Sequence, residues 1–215
     1  MIVRMVSTVT LTPAKLLADG VRHAHGWSLA EAHAAELDAR LGPVLSTSGT
    51  GTIVLLDFAG IESTSASYVK RILVWLLVAG ERFVADEKPY PEGPPALNVF
   101  PVITNPVPEV REEVTTVLEH AKKACLEALE LDGGTIGRAR VLGSLDTHLM
   151  QTLIHVVKAE ETSAPDLYER FRDEKIGVTA WNNRLNELHA RRLVQRTKQG
   201  RQLVFRPLAQ EIVDG

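Results

Sequence analysis

The last third of the sequence places three helical patterns before two β-rich runs, and this order constrains the fold more than any other feature. Apolar residues recur at helical spacing in three segments, 144–157, 164–174 and 180–191. Residues 193–197 and 202–206 favour strands, and the turn containing Gly200 between them is typical of a β-hairpin. We therefore expect an α+β domain over residues 144–215, with three helices followed by a hairpin.

Polar residues that commonly begin helices precede the second and third patterns. Ser163 stands ahead of the second pattern, with Pro165 in the first turn, where proline is tolerated. Thr179 stands ahead of the third pattern and is expected to cap it. The third helix would direct three apolar side chains inward, at spacings of four and three residues: Trp181, Leu185 and Leu188.

The outward face of this third helix carries side chains that are suited to reading bases. It consists of Thr179, Asn182, Asn183 and Asn186, with Arg184 near its edge. Asparagine can bond to adenine with both ends of its amide in the major groove, and arginine suits guanine. Since asparagine is a poor helix former, three of them on one face indicate more than solvation.

Positive charge is concentrated in the same segment, although the chain as a whole has a formal net charge of -3. Between residues 175 and 206 there are eight basic residues, and Glu187 is the only acidic one. Such a concentration suits the neutralisation of phosphates. The predicted DNA-binding residues are Thr179, Asn182, Asn183, Arg184, Asn186, Arg191, Arg192, Arg196, Lys198 and Arg201.

The segment VTAWNNRLNELHARRLVQRTKQGRQLVFRPL resembles the recognition helix and wing of MarR-like and related winged helix-turn-helix regulators. The resemblance implies that the third helix enters the major groove of double-stranded DNA while the hairpin contacts the backbone nearby. A homodimer is expected, because a two-fold pair reads a palindrome with twice the base contacts. The alternative is a winged helix that binds only proteins and whose basic residues are merely solvated.

The first half of the chain alternates strand and helix patterns, which predicts a small α/β layer fold. Strands are expected in three segments, 3–11, 52–58 and 97–104. The run at 52–58 is apolar almost throughout, as in a strand buried on both faces, whereas Pro101 demotes the third strand to an edge or a bulge. Ser28 and Glu31 form a capping-box pattern at the first of three expected helices, 28–41, 66–79 and 109–131.

Three glycines between residues 133 and 137 predict a flexible break between two domains. The predicted domains are an α/β domain over residues 1–132 and the helix-rich domain over residues 144–215. The long helix at 109–131 is the expected dimer or interdomain element, unless its apolar face packs wholly within the chain.

The stretch IVLLDFAGIESTSASYVKRIL resembles the STAS and STAS-like domains, in which a buried strand ends in Asp and a Gly-containing turn leads to a Ser/Thr-rich helix start. In STAS anti-sigma-factor antagonists a serine at this helix start is phosphorylated, which would make Ser67, or else Ser65, a phospho-switch. Capping of the helix by these hydroxyls is the other interpretation, and the one that we favour. The matching residues are Asp57, Gly60, Ser63, Thr64, Ser65 and Ser67.

Motifs of the common enzyme classes are missing from the sequence. It contains no G-x-S-x-G elbow, no Walker loop, no H-E-x-x-H helix and no Cys/His zinc spacing. His23, His25 and His33 lack accompanying carboxylates or thiols, which indicates surface histidines and not a metal site. Cys125 is expected to be a small packing residue, with a redox sensor as the alternative. We therefore expect no enzyme, no cofactor and no metal.

The longest apolar stretch, residues 72–80, is too short to span a bilayer, so we expect a cytoplasmic protein without a membrane partner. The sequence as a whole predicts a two-domain, DNA-binding transcriptional regulator. Its STAS-like domain would provide regulation or dimerisation and could hold a regulatory protein partner. Two alternatives stay open: a partner-switching protein that does not bind DNA, and a repressor that senses a small molecule.

Overall fold

The structure, a computed structural model, describes residues 7–47, 51–78 and 99–213. Its first elements are β1 (Ser7–Leu11), a 3₁₀ turn (Pro13–Leu16), β2 (His23–Ala24), α1 (Trp27–Thr47), β3 (Thr52–Asp57) and β4 (Ser63–Thr64). Then come α2 (Ala66–Val69), a π-helical segment (Lys70–Val74), α3 (Trp75–Val78) and β5 (Val99–Thr104). The chain continues with α4 (Pro108–His120), β6 (Ala124–Ala128), β7 (Leu131–Asp132) and β8 (Thr135–Gly143). They are followed by α5 (Thr147–Ala159), α6 (Ala164–Arg170), a 3₁₀ turn (Arg172–Glu174), α7 (Val178–Ala190), β9 (Val194–Gln199), β10 (Gln202–Pro207) and β11 (Ala209–Val213). None of the helices in these ranges combines the length and the apolar content needed to cross a membrane.

Seven of the described strands form one mixed sheet, in the order β1-β3-β5-β6-β8-β11, with β7 paired to β8. The first four strands of this order run parallel, β8 runs antiparallel to β6, and β11 runs parallel to β8. Helices α1, α2, α3 and α4 lie between the parallel strands in the chain, as parallel pairing requires a long crossover connection. The mixed α/β fold class is confirmed.

Helices cover both faces of this sheet. Val54 and Leu56 of β3 belong to a buried cluster with residues of α1, α2, α3 and α4. Ile53 and Leu55 belong to a second buried cluster with residues of α5, α6 and α7. Because successive side chains of a strand point to opposite faces, a strand covered on both sides is apolar throughout. The prediction that residues 52–58 contain such a strand is confirmed.

The C-terminal helices and hairpin, residues 147–207, are called the helix–hairpin unit below. The unit follows β8 and precedes β11, and these two strands pair with each other in the sheet. Trp181 and Leu185 of the unit share one buried cluster with Phe100 and Val102 of β5. The unit and the sheet are therefore packed around a common core.

The helix predicted over residues 109–131 is wrong in its second half. Helix α4 ends at His120, and the following residues form β6 in the middle of the sheet. Lys122 has a left-handed backbone with φ 52°, and the N–H of Lys123 donates to the carbonyl of Leu118. The chain thereby leaves the helix and enters the sheet. The apolar face of α4 is buried in the same chain, so it is not free to form the predicted dimer element.

The flexible break predicted at the glycines is also wrong, because these residues belong to the sheet. Gly133 and Gly134 turn the chain from β7 into β8, with φ of 54° and 87°. Pro101 was predicted at an edge or a bulge, yet it lies in β5, between β3 and β6. Pairing of β5 with β6 begins at Val102, one residue beyond the proline, which leaves Pro101 outside the ladder on that side.

The predicted helix starts are confirmed where a local side chain bonds to the helix. Ser163 forms a capping box with Asp166, and Ser65 accepts a hydrogen bond from the N–H of Tyr68. By contrast, α1 begins at Trp27, so Ser28 lies inside the helix. Thr179 likewise lies in the first turn of α7, whose N-cap is Gly177.

Candidate nucleic-acid interface

Helix α7 separates apolar from polar side chains along its length. The side chains of Trp181, Leu185 and Leu188 are fully buried in the cluster shared with the sheet. On the other side, Thr179 and Asn183 are exposed, and Asn182, Arg184 and Asn186 are half-buried. The structure thus brings these five predicted residues onto one helix, with two of them exposed.

The hairpin that follows α7 presents two basic side chains at its tip. Strands β9 and β10 pair antiparallel, and their two-residue connection begins with Gly200 at φ 60°. A glycine with positive φ at the first turn position is the arrangement of a type II′ turn, which matches the twist of a hairpin. Lys198 and Arg201, on either side of this glycine, are exposed.

Two sets of contacts hold the hairpin to the helices. Thr162, in the link from α5 to α6, exchanges backbone hydrogen bonds of 3.0 and 2.7 Å with Phe205 of β10. The guanidinium of Arg196 on β9 donates to the Oδ1 atom of Asn186 on α7 at 2.8 Å. The hairpin and α7 are therefore fixed in one relative position, which a joint contact with a rigid partner requires.

Several of the predicted arginines are already engaged within the chain. Arg192 is only 3% exposed, so its side chain is not available to DNA in this conformation. Its backbone has φ 64°, which directs the chain into β9 at the end of α7. Arg191 forms an ion pair of 3.0 Å with Glu187, one turn back in α7. Arg206, which adds to the local charge, pairs with Glu161.

Between residues 175 and 206, five basic side chains have no ion pair within the described ranges: Lys175, Arg184, Arg196, Lys198 and Arg201. The guanidinium carbon of Arg184 lies 5.6 Å from the centroid of the Trp181 ring, in a cation–π contact. Fewer basic side chains are thus available to an anion than the sequence suggests, because Arg191 and Arg206 are paired with acids. What remains is spread over α7, the turn before it and the hairpin.

The C-terminal end of α7 is anchored on the sheet through His189. Its ring lies 6.1 Å from that of Phe100 in β5, and its Nδ1 atom lies 3.1 Å from the carbonyl oxygen of Val194. Burial, aided by the positive charges of Arg196 and Arg192, lowers the pKa of His189 to about 4. The histidine is therefore neutral near pH 7 and acts as a packing residue between α7 and the sheet.

The N-terminal end of α7 is held by a pair that the sequence analysis missed. The Nε2 atom of His155 on α5 lies 2.7 Å from the Oε1 atom of Glu174, in the 3₁₀ turn ahead of α7. The ring of His155 also lies 3.9 Å from that of Phe171. A groove of about 540 Å³ opens beside this pair and is bordered by Arg184. No sequence signal marks the contact, because its partners are far apart in the chain.

The residues that carry the STAS resemblance lie at the carboxyl end of β3. Asp57 accepts a hydrogen bond of 2.8 Å from the side chain of Asn105, which follows β5. The hydroxyls of Thr12 and Thr104 donate to the same carboxylate over longer distances of 3.4 and 3.5 Å. Gly60 has φ 81°, in the turn between β3 and β4. Asp57 thus ties together the ends of three parallel strands.

Serine hydroxyls at the start of α2 serve the local structure. The hydroxyl of Ser65 caps the helix and also accepts a hydrogen bond from the N–H of Gly26. The hydroxyl oxygen of Ser67 lies 3.1 Å from that of Ser65. Ser63 lies 2.9 Å from ring nitrogens of both His23 and His25. These contacts support the capping interpretation over a phospho-switch. Thr64 adds a further link, because its hydroxyl donates to the carbonyl of Ala24.

The remaining residues weighed for chemistry are mostly packing residues. His33 is 2% exposed and bonds to the hydroxyl of Tyr68 at 2.7 Å, so its prediction as a surface histidine is wrong. Cys125 is 1% exposed, and burial raises the pKa of its thiol to about 12, which favours packing over a redox role. No group of three or more His, Cys, Asp or Glu side chains in the described ranges is arranged to hold a metal ion.

The chain was also compared with known proteins. The comparisons with protein-family models, with curated protein sequences and with solved structures find no match.

Proposed function

We propose that the chain is a DNA-binding transcriptional regulator whose helix–hairpin unit is a winged helix-turn-helix. Helix α7 would enter the major groove of double-stranded DNA, and the hairpin β9–β10 would contact the phosphates beside it. The observation that carries this proposal is the outward polar face of α7 next to a hairpin tip with exposed Lys198 and Arg201. Such a combination offers both base contacts and charge to a duplex.

The sheet and its N-terminal helices would form the regulatory part. Four parallel strands with α1 to α4 packed against one face support a STAS-like layer. In this proposal the layer receives a signal or a regulatory protein partner, and the protein acts in the cytoplasm as a homodimer on a palindromic site. The common core of the sheet and the helix–hairpin unit gives such a signal a direct physical route to α7.

A protein-binding role without DNA is the second candidate. The pairing of Arg191 with Glu187 and of Arg206 with Glu161 favours it, because acids beside the basic residues weaken the attraction to phosphates. In that case the helix–hairpin unit would bind a protein, and the whole chain would switch between partners.

Charge reversal at the hairpin tip tests the DNA-binding proposal. We expect the variant Lys198→Glu/Arg201→Glu to bind a random-sequence duplex at least about tenfold more weakly than the parent chain in fluorescence anisotropy, because two phosphate contacts are replaced by repulsion.

The matched control is Lys15→Glu/Lys70→Glu, which changes the net charge equally at two exposed residues in the layer on the other side of the sheet. Its affinity should stay within about twofold of the parent value, since it alters only long-range attraction. Equal losses in both double variants would contradict a binding surface at the hairpin.

A further inference from the structure

The side-chain amide of Asn186 is occupied at both ends within the chain. Its Nδ2 atom donates to the backbone carbonyl of Asn182 at 2.8 Å, one turn earlier in α7. Its Oδ1 atom accepts from Nη1 of Arg196 on β9, also at 2.8 Å. The orientation of the amide is unambiguous, because a guanidinium can only donate and a carbonyl oxygen can only accept.

An asparagine that reads adenine needs both ends of its amide, one to donate and one to accept. One N–H and one lone pair of the Asn186 amide remain unused, but its two bonds fix the orientation of the amide and its side chain is half-buried. Turning the amide toward a base would break these bonds and release Arg196. Asn183 is different. It lies on the same helix, is exposed, and makes no side-chain hydrogen bond in the part of the chain that the structure describes.

The contact with Asn186 fixes the position of the Arg196 side chain. This side chain is half-buried on β9, and only one of its nitrogens is used by Asn186. The guanidinium carries five N–H donors, so most of them are left for an anion. Holding the side chain in one rotamer before binding lowers the entropy that is lost when it meets a phosphate.

We infer that Asn183 is the residue of α7 that reads an adenine, and that Asn186 is a positioning residue that holds Arg196 for a contact with the DNA backbone. The inference rests on the proposed function. It assigns base specificity to Asn183 and the positioning of Arg196 to Asn186. It also changes the role expected from the sequence, in which the outward asparagines were equivalent.

Four variants test this assignment: Asn183→Ala, Asn186→Ala, Arg196→Ala and the double variant Asn186→Ala/Arg196→Ala. Each full-length variant is titrated against a duplex selected from a random pool by the parent chain, and against duplexes in which single A·T pairs are replaced by G·C. We expect Asn183→Ala to reduce discrimination at one A·T pair by about tenfold. Circular dichroism and a thermal melt check that each variant is folded.

Loss of the contact between Asn186 and Arg196 should lower the affinity for every duplex, whatever its base sequence. Asn186→Ala should weaken binding to every duplex by about fivefold, while the slope of log affinity against log salt stays unchanged because no charge is removed. Arg196→Ala should weaken binding and reduce the magnitude of that slope by about one. The double variant should bind no more weakly than Arg196→Ala alone, because the two residues act as one unit.

The assignment is overturned if Asn186→Ala changes the preference at one base pair while Asn183→Ala does not, or if the double variant shows additive losses. These results differ from a failure of the proposed function, in which the parent chain itself selects and binds no duplex.

Discussion

Replacing Gly143 with alanine is expected to lower the free energy of unfolding by about 4 kcal/mol. Gly143 ends β8 with φ 83°, a conformation that residues with a side chain rarely adopt. A Cβ atom at this position would lie 2.5 Å from the carbonyl oxygen of Lys123 and 2.6 Å from the Cβ atom of Leu118. The same carbonyl oxygen accepts a hydrogen bond of 2.9 Å from Ser144, so the backbone cannot withdraw without losing that bond.

Urea unfolding followed by circular dichroism measures this effect, and Gly42→Ala is the matched control. Gly42 lies inside α1, where an added Cβ atom meets nothing within 4 Å. Because alanine is a better helix former than glycine, the control should be as stable as the parent chain or more stable by about 1 kcal/mol. If both variants unfold at the parent midpoint, the close approach of β8 to the end of α4 is not as described.

Replacing Glu127 with alanine is expected to destabilise the chain by about 3 kcal/mol. Glu127 is 2% exposed in β6, and its carboxylate accepts bidentate hydrogen bonds of 2.8 Å from Arg111 on α4. Arg140 on β8 lies 3.4 Å from the same carboxylate. Removing the acid leaves two guanidinium groups facing each other at a partly buried site. The half-exposed positions of both arginines keep the expected loss at the lower end for a buried pair.

Two comparisons separate the buried charge from other effects of this substitution. Glu130→Ala removes an acid that pairs with Arg138 at 2.9 Å, where both side chains are about half exposed, and should cost less than about 1 kcal/mol. The triple variant Glu127→Leu/Arg111→Met/Arg140→Met should recover most of the stability, because it removes the whole charged group. A triple variant as unstable as Glu127→Ala would mean that the loss comes from shape and not from charge.

The C-terminal unit could be predicted in detail because its signals are local. Ser163 and Asp166 stand three residues apart, the spacing of a capping box, and the structure contains both of its hydrogen bonds. The glycine between two β-rich runs marked the turn of the hairpin, which the structure places at Gly200. In α7, the spacing of apolar residues separated the buried from the exposed side chains. Each of these features depends on residues within one or two turns of each other.

The middle of the chain could not be predicted in the same way, because its structure depends on distant partners. Residues 124–128 are rich in helix formers, yet they form β6 because β5 and β8 offer hydrogen bonds on both sides. Both faces of this strand are buried, so no alternation of polar and apolar residues shows its period. Arg192 is a similar case: its side chain is buried and its backbone is left-handed at the end of α7, and no local pattern in the sequence marks either feature.

The ion pair of Arg191 could have been predicted from the sequence. Glu187 and Arg191 are four residues apart in a predicted helix, and an acid four residues before a base is the spacing of an intrahelical ion pair. The spacing alone therefore predicts a contact of Arg191 within α7. The surface that we propose for a duplex is therefore smaller, and it centres on Asn183 and the hairpin tip.

The measurement that tests DNA binding most directly is a salt titration of the full chain with a random-sequence duplex. Between residues 175 and 206, five basic side chains are without an ion pair in the described ranges, so this surface of each chain can neutralise up to five phosphates. Log affinity should then fall linearly with log salt concentration, with a slope of about −3 to −4.5 for each chain bound. Absence of binding at about 50 mM salt, or an affinity that does not change with salt, would contradict the account and favour a protein partner for this surface.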